Sequence, residues 1–192
     1  VSTYRLHLPP DPPFADAEAQ LDYLEALGVT DLYLSPILTA APGSMHGYDV
    51  VDHTRISEAL GGRAGFKSLA EAAHARKMGV FVDVVPNHVG VPTPIWHNRA
   101  LWHGLAEGPA SPYAHWFDGA DSADGDGILM PVLGARIGIV IANGELTLEH
   151  REIPTFPDAG PQPVLVYYDH VFPVRPGTED LPLPECVSEQ YY

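Results

Sequence analysis

The chain has 192 residues and a formal net charge of −15, with Asp and Glu outnumbering Lys and Arg by 25 to 10. Such an acidic balance speaks against nucleic acid, whose phosphates reward basic surfaces, and against anionic lipid. Its single cysteine, Cys186, excludes an intrachain disulfide and a Cys-based metal site and fits a thiol of a reducing compartment. In chain order, Tyr4 to Leu8 reads as a first strand ended by Pro9-Pro10. Phe14, Ala17, Leu21, Leu24 and Leu27 then recur at helical spacing, with Gly28 as the stop. Asp31 to Leu34 is a second strand, followed by a loop bearing His46-Gly47-Tyr48-Asp49. Phe66, Leu69, Ala73 and Arg76 mark a second helix ending at Gly79, and Val80 to Val85 is a third strand.

The strand-helix-strand-helix-strand order predicts parallel pairing with right-handed crossovers. Past His88 the rhythm breaks. Residues 89–120 are rich in Pro, Trp and His without a clear period, and Asp121 to Gly127 reads as an acidic turn. Ile137 to Ile141, Leu146 to Leu148 and Val164 to Tyr168, separated by turn signals such as Asn143-Gly144, predict a small antiparallel β unit. The Pro-rich, acidic tail from Pro173 reads as an extended connection. No basic-then-apolar leader opens the chain and no apolar run could span a bilayer, which predicts a cytoplasmic protein. The expected organisation is two parts, 1–90 and 91–192.

The chemistry-bearing residues cluster at strand exits. Asp83-Val84-Val85-Pro86-Asn87-His88 closes the third strand, which is how an α/β barrel places a site at one rim. Asp83, inside an apolar parallel strand, needs a partner, and a bond to backbone or a basic side chain is the first reading. Asn87 reads as a loop brace. His88, beyond the strand end, can donate to a ligand hydroxyl, with a satisfied core histidine as the alternative. Tyr48 after Gly47 could present its ring face to a sugar or sit in the core with a bonded hydroxyl. Asp49 and Asp52 could bind hydroxyls, cap the chain or hold a cation. The ten histidines are scattered with no helical His pair, so zinc is a weak reading and no metal or cofactor is expected. No P-loop and no Gly-x-Ser-x-Gly elbow is present.

The Asp83–His88 hexapeptide resembles the first signature region of the α-amylase superfamily (glycoside hydrolase family 13), and His46-Gly47-Tyr48-Asp49 resembles its tyrosine-bearing loop. Thr3-Tyr4-Arg5-Leu6, Leu32 to Ile37, Gly43 to Asp49, Leu60-Gly61-Gly62, Ser111 to Ala114, Leu129 to Gly134 and Tyr167 to His170 are together similar to the maltooligosyl trehalose synthase family within it. That resemblance implies an α/β fold: the first three β/α units of a (β/α)8 TIM barrel, with an inserted, partly β subdomain after the third strand. It implies an intramolecular transferase of trehalose biosynthesis, which converts the reducing-end α-1,4 bond of a maltooligosaccharide into an α,α-1,1 bond. Tyr48 is then the stacking platform of the reacting sugar, His88 its hydrogen-bond donor, His46 and Asp49 substrate-side neighbours, and Asp83 and Asn87 supports.

The aromatics Trp96, Trp102, Tyr113, Trp116 and Phe117 would enclose reducing-end sugars or pack the insertion. The family's nucleophile and acid/base carboxylates have no match, so no catalytic carboxylate is expected in this chain. A second polypeptide completing the barrel is the expected partner, besides the maltooligosaccharide. A non-catalytic carbohydrate-binding fragment and another α-amylase-family glucan hydrolase are the competing readings. His7 stands where the family has Gln, Met45 where it has Thr, and Ala100-Leu101-Trp102 where it runs to tryptophans.

Overall fold

The computed structural model describes residues 1–10, 13–117 and 127–192. The chain divides into two compact units, Val1–Gly90 and Val91–Tyr192.

The first unit is a parallel α/β layer. Strands β1 (Thr3–Leu6), β2 (Asp31–Leu34) and β5 (Gly79–Val82) form one sheet in the order β1-β2-β5, with Arg5, Tyr33 and Phe81 in register. Side chains alternate across a strand, so the sheet has two different faces. Leu32, Leu34, Val80 and Val82 turn to one, where α1 (Pro13–Ala19), α2 (Leu21–Ala26) and α3 (Gly62–Ala75) supply Phe14, Leu21, Leu24, Leu69 and Ala73. Burying a Leu or Phe of this kind is worth about 1.5–3 kcal/mol. The other face carries Arg5, Tyr33 and Phe81, and Phe81 is 55% exposed.

The expected first helix is present but runs as α1 and α2, interrupted at Gln20, whose N–H donates to Ala17 O (3.1 Å), three residues back. Gly28 ends it in the left-handed region (φ +84°), with its N–H on Glu25 O. The third strand is shorter than expected, ending at Val82, and it is not buried on both faces. Among the described residues it pairs with β2 alone, and β2 has neighbours on both sides. The expected loop between the second strand and the second helix is largely an antiparallel ribbon, β3 (Leu38–Ala40) with β4 (Val50–Ile56). Its irregular register hides the two-residue alternation that would have revealed it.

The second unit packs around an antiparallel sheet, β6 (Leu146–Glu152), β7 (Pro161–Tyr167) and β8 (His170–Pro173), in the order β6-β7-β8. The antiparallel unit expected from sequence is there, but its first piece is not a strand. Ile137–Ala142 forms helix α5, with only Val140 buried, and stops at Asn143 and Gly144 (φ +70°). A short apolar run does not by its pattern distinguish strand from helix.

Residues 89–120 contain α4 (Arg99–Glu107), capped by Asn98 Oδ1 accepting from Leu101 N (3.0 Å). Ala100, Leu101, Trp102, Gly104 and Leu105 are all buried, and a helix buried on most sides shows no clear period. The tail is not wholly extended: Leu183–Ser188 forms α6, with Pro184 in its first turn, where proline is tolerated. The expected turn at Asp121 to Gly127 lies outside the described residues except for Gly127. Leu105, Val140, Val164, Val171, Phe172 and Cys186 anchor this core. Among the described residues no helix is long and apolar enough to cross a membrane.

Candidate functional site

The site of the first unit lies where the carboxyl ends of its parallel strands meet the tip of the β3–β4 ribbon. Asp83 follows β5 directly, and its N–H continues the ladder onto Leu34 O (2.9 Å). Its carboxylate is therefore aimed by the sheet itself. Tyr48 comes from the ribbon tip and reaches across, and its hydroxyl donates to Asp83 Oδ2 at 2.5 Å. From β1, Arg5 Nη2 donates to the same Tyr48 oxygen at 2.8 Å and lies 3.8 Å from Asp83 Oδ2. The Arg5 guanidinium also stands over the Tyr33 ring, 5.3 Å from its centroid. Arg5, Tyr48 and Asp83, from three separate parts of the chain, thus share one hydroxyl. The phenol of Tyr48 is held above its ordinary pKa, first because it donates to Asp83, then by partial burial and the carboxylate's charge, with Arg5 pulling the other way.

The ribbon tip is braced from within. Ser44 Oγ donates to Asp49 Oδ1 and accepts from Gly47 N (3.1 Å). Gly47 sits at φ +76°, and a Cβ there would lie 2.9 Å from Pro36 O, so both backbone conformation and space require glycine before Tyr48. His46 Nδ1 accepts from Tyr48 N at 3.0 Å. The same nitrogen lies 3.7 Å from Asp49 Oδ1. His53 Nε2 lies 2.8 Å from Val85 O and latches β4 to the segment after β5.

The structure brings together Tyr48 and Asp83, and groups His46 and Asp49 with the loop that carries Tyr48. The partner expected for Asp83 turns out to be a phenol at hydrogen-bond distance, with the basic side chain behind it. Asn87 and His88 form a second, exposed pair, with Asn87 Oδ1 3.2 Å from His88 Nδ1. Among the described residues no hydrogen bond joins that pair to Tyr48. Asp52 turns to its own ribbon, accepting from Thr54 N (2.8 Å) and Thr54 Oγ1 (2.6 Å). Sequence reasoning missed Arg5. Its signal was present, a lone cation in an otherwise neutral strand, but a charge on a strand more often faces solvent. Of the second unit's aromatics, Trp102 is core, while Tyr113 and Trp116 pack edge-to-face at 5.1 Å with Trp116 exposed. Among the described residues no group of three or more His, Cys, Asp or Glu is arranged to hold a metal ion.

Residues 17–132 match the alpha amylase catalytic domain, and the chain belongs to that family. Within it, the chain is similar to maltooligosyl trehalose synthases. A Mycobacterium tuberculosis protein named "Putative maltooligosyl trehalose synthase" is 48% identical over 151 residues, which is 77% of this chain and 20% of the relative. The structure of maltooligosyltrehalose synthase from Arthrobacter ramosus covers all of this chain at 42% identity and a TM-score of 0.80, with 23% of that protein matched. Alpha-amylase SusG of Bacteroides thetaiotaomicron is 36% identical over 125 residues, 65% of this chain and 16% of SusG. The chain thus spans about a fifth of the length of these relatives, and the resemblance read from its motifs is borne out at the level of the family.

Proposed function

We propose that this chain is the amino-terminal portion of a maltooligosyl trehalose synthase, contributing the first three β/α units of a (β/α)8 barrel, with the second unit as an insertion after the third. The observation that carries the reading is the whole-length likeness to a solved maltooligosyltrehalose synthase at 42% identity. The reaction is an intramolecular transglucosylation at the reducing end of a maltooligosaccharide, from an α-1,4 to an α,α-1,1 bond. A retaining transfer needs a carboxylate nucleophile and a carboxylic acid/base on either side of the scissile bond, about 5–5.5 Å apart. Among the described residues, neither carboxylate beside Tyr48 takes either role. Asp83 is engaged by Tyr48, and Asp49 by Ser44. Both catalytic carboxyls are assigned to the remainder of the barrel, carried on the same polypeptide or on a second one.

This chain's part is one wall of the site. Tyr48, its hydroxyl tethered, offers a ring face to the apolar side of a pyranose. His88 donates to a hydroxyl of the same sugar, and Asn87 fixes the orientation of its ring. His46 and Asp49 hold the ribbon tip close to the substrate. The neutral, hydroxyl-rich ligand suits an acidic chain, and the setting is assigned as cytoplasmic, in keeping with the free, buried Cys186.

The test is to incubate the full-length polypeptide that carries this chain with maltopentaose. Loss of reducing ends without release of glucose is the expected result. Release of glucose or maltose would replace the reading by glucan hydrolysis, which the likeness to SusG makes the natural rival. Tyr48→Ala should lower turnover about 100-fold, the usual scale for a misplaced reacting group, and an unchanged turnover would remove Tyr48 from the site.

A further inference from the structure

The geometry points to Arg5 as a positioning residue that fixes the plane of the Tyr48 ring by clamping its hydroxyl against Asp83. This rests on the sugar-stacking role of Tyr48 given above and adds to it a residue on the opposite edge of the sheet. A phenolic O–H prefers to lie in the plane of its ring. A hydroxyl held from one side only still allows the ring to pivot about the Cβ–Oη axis. In this site it is held from two. Tyr48 Oη donates to Asp83 Oδ2 at 2.5 Å and accepts from Arg5 Nη2 at 2.8 Å, which leaves the ring little rotation.

Arg5 is suited to be the fixed half of the clamp. The register pairs it with Tyr33 on β2, and its guanidinium stands 5.3 Å from the Tyr33 centroid. Strand pairing places its Cα, and the aromatic contact restrains its side chain. A single cation thereby ties β1 and β2 to the ribbon tip and to the exit of β5. The same Nη2 lies 3.8 Å from Asp83 Oδ2, so it partly offsets the carboxylate that holds the phenol. Among the described residues Arg5 donates no other side-chain hydrogen bond, and its side chain is half exposed, so its one bond is directed at Tyr48 rather than spent on the fold.

The test is a double-mutant cycle in the full-length polypeptide. Arg5→Met should lower kcat on maltopentaose about tenfold, the value of one hydrogen bond of ordinary strength. In a Tyr48→Phe background, where no hydroxyl remains to clamp, the same change should cost less than about twofold. Arg5→Lys should recover part of the loss, because an ammonium donates but lacks the planar fork. The second readout is a titration of ¹³Cζ-labelled tyrosine, with the Tyr48 signal assigned by its absence in Tyr48→Phe. The Tyr48 midpoint should rise in Arg5→Met, since the cation that lowers it is gone. Equal losses in both backgrounds, or an unmoved Tyr48 midpoint, would overturn the role. If the wild type hydrolyses maltopentaose instead of isomerising it, the reading of the reaction fails while the cycle is scored on hydrolysis. If it does neither, the titration alone decides the clamp.

Discussion

The two units solve the same problem, covering a three-stranded sheet, in different ways. In the second, antiparallel β6-β7-β8 is closed over by its own neighbours, and Phe172 on the last strand is 4% exposed between the rings of His170 and Tyr192. In the first, helices cover one face of parallel β1-β2-β5 while the other leaves Phe81 55% exposed in a row with Arg5 and Tyr33. The polar chemistry sits with the open sheet. The lesson is that an antiparallel sheet wrapped by its own neighbours makes a core, while parallel strands gather polar side chains at their carboxyl ends, where a site forms.

The sharpest way to break this comparison is to truncate the same residue type in both sheets. Phe172→Ala should cost about 3–5 kcal/mol by denaturant unfolding of the 192-residue chain, since a buried ring leaves a cavity. Phe81→Ala should cost less than about 1 kcal/mol. A loss of several kcal/mol at Phe81 in the full-length polypeptide would show that residues beyond these 192 cover the row.

Next in size is Gly47→Ala. A Cβ at φ +76° against Pro36 O should cost about 1–3 kcal/mol of local stability. It should also lower activity through Tyr48, read as a drop in turnover on maltopentaose that exceeds the effect of equal destabilisation by Phe172→Ala. Equal losses would mean that Gly47 serves the fold alone.

The smallest effect is at alkaline pH, and here the units differ in cause. Tyr48 is raised chiefly by its hydrogen bond to Asp83, Tyr192 chiefly by burial. For both the folded value lies above the unfolded one near 10. Each contribution to stability is therefore fully present below about pH 10 and lost as pH rises through the folded value. Asp83→Ala should bring the Tyr48 midpoint down and leave that of Tyr192 in place, a result that tyrosine ¹³C titration would read directly.

Much of the first unit could be read from the chain. Leu32, Leu34, Leu69 and Ala73 announce strand and helix by spacing, Gly28 announces a stop, and the polar run from Asp83 to His88 announces a strand exit. The β3–β4 ribbon was hidden by its irregular register. Helix α4 was hidden by burial on most sides, and α5 by an apolar run too short to have a period. Pro184 was misleading because proline breaks a helix everywhere but its first turn.

By itself the sequence determined the alternating parallel architecture, the antiparallel second half, the family and the residues at the strand ends, since these follow from local pattern and ordered motifs. Only the tertiary structure decided which of those residues meet. Asp83's partner is 35 positions away in sequence and Arg5 is 43 positions from Tyr48. No local periodicity encodes a hydrogen bond between separate elements. It arises because parallel pairing sets β1 and β5 on either side of β2 and the ribbon carries Tyr48 to their ends.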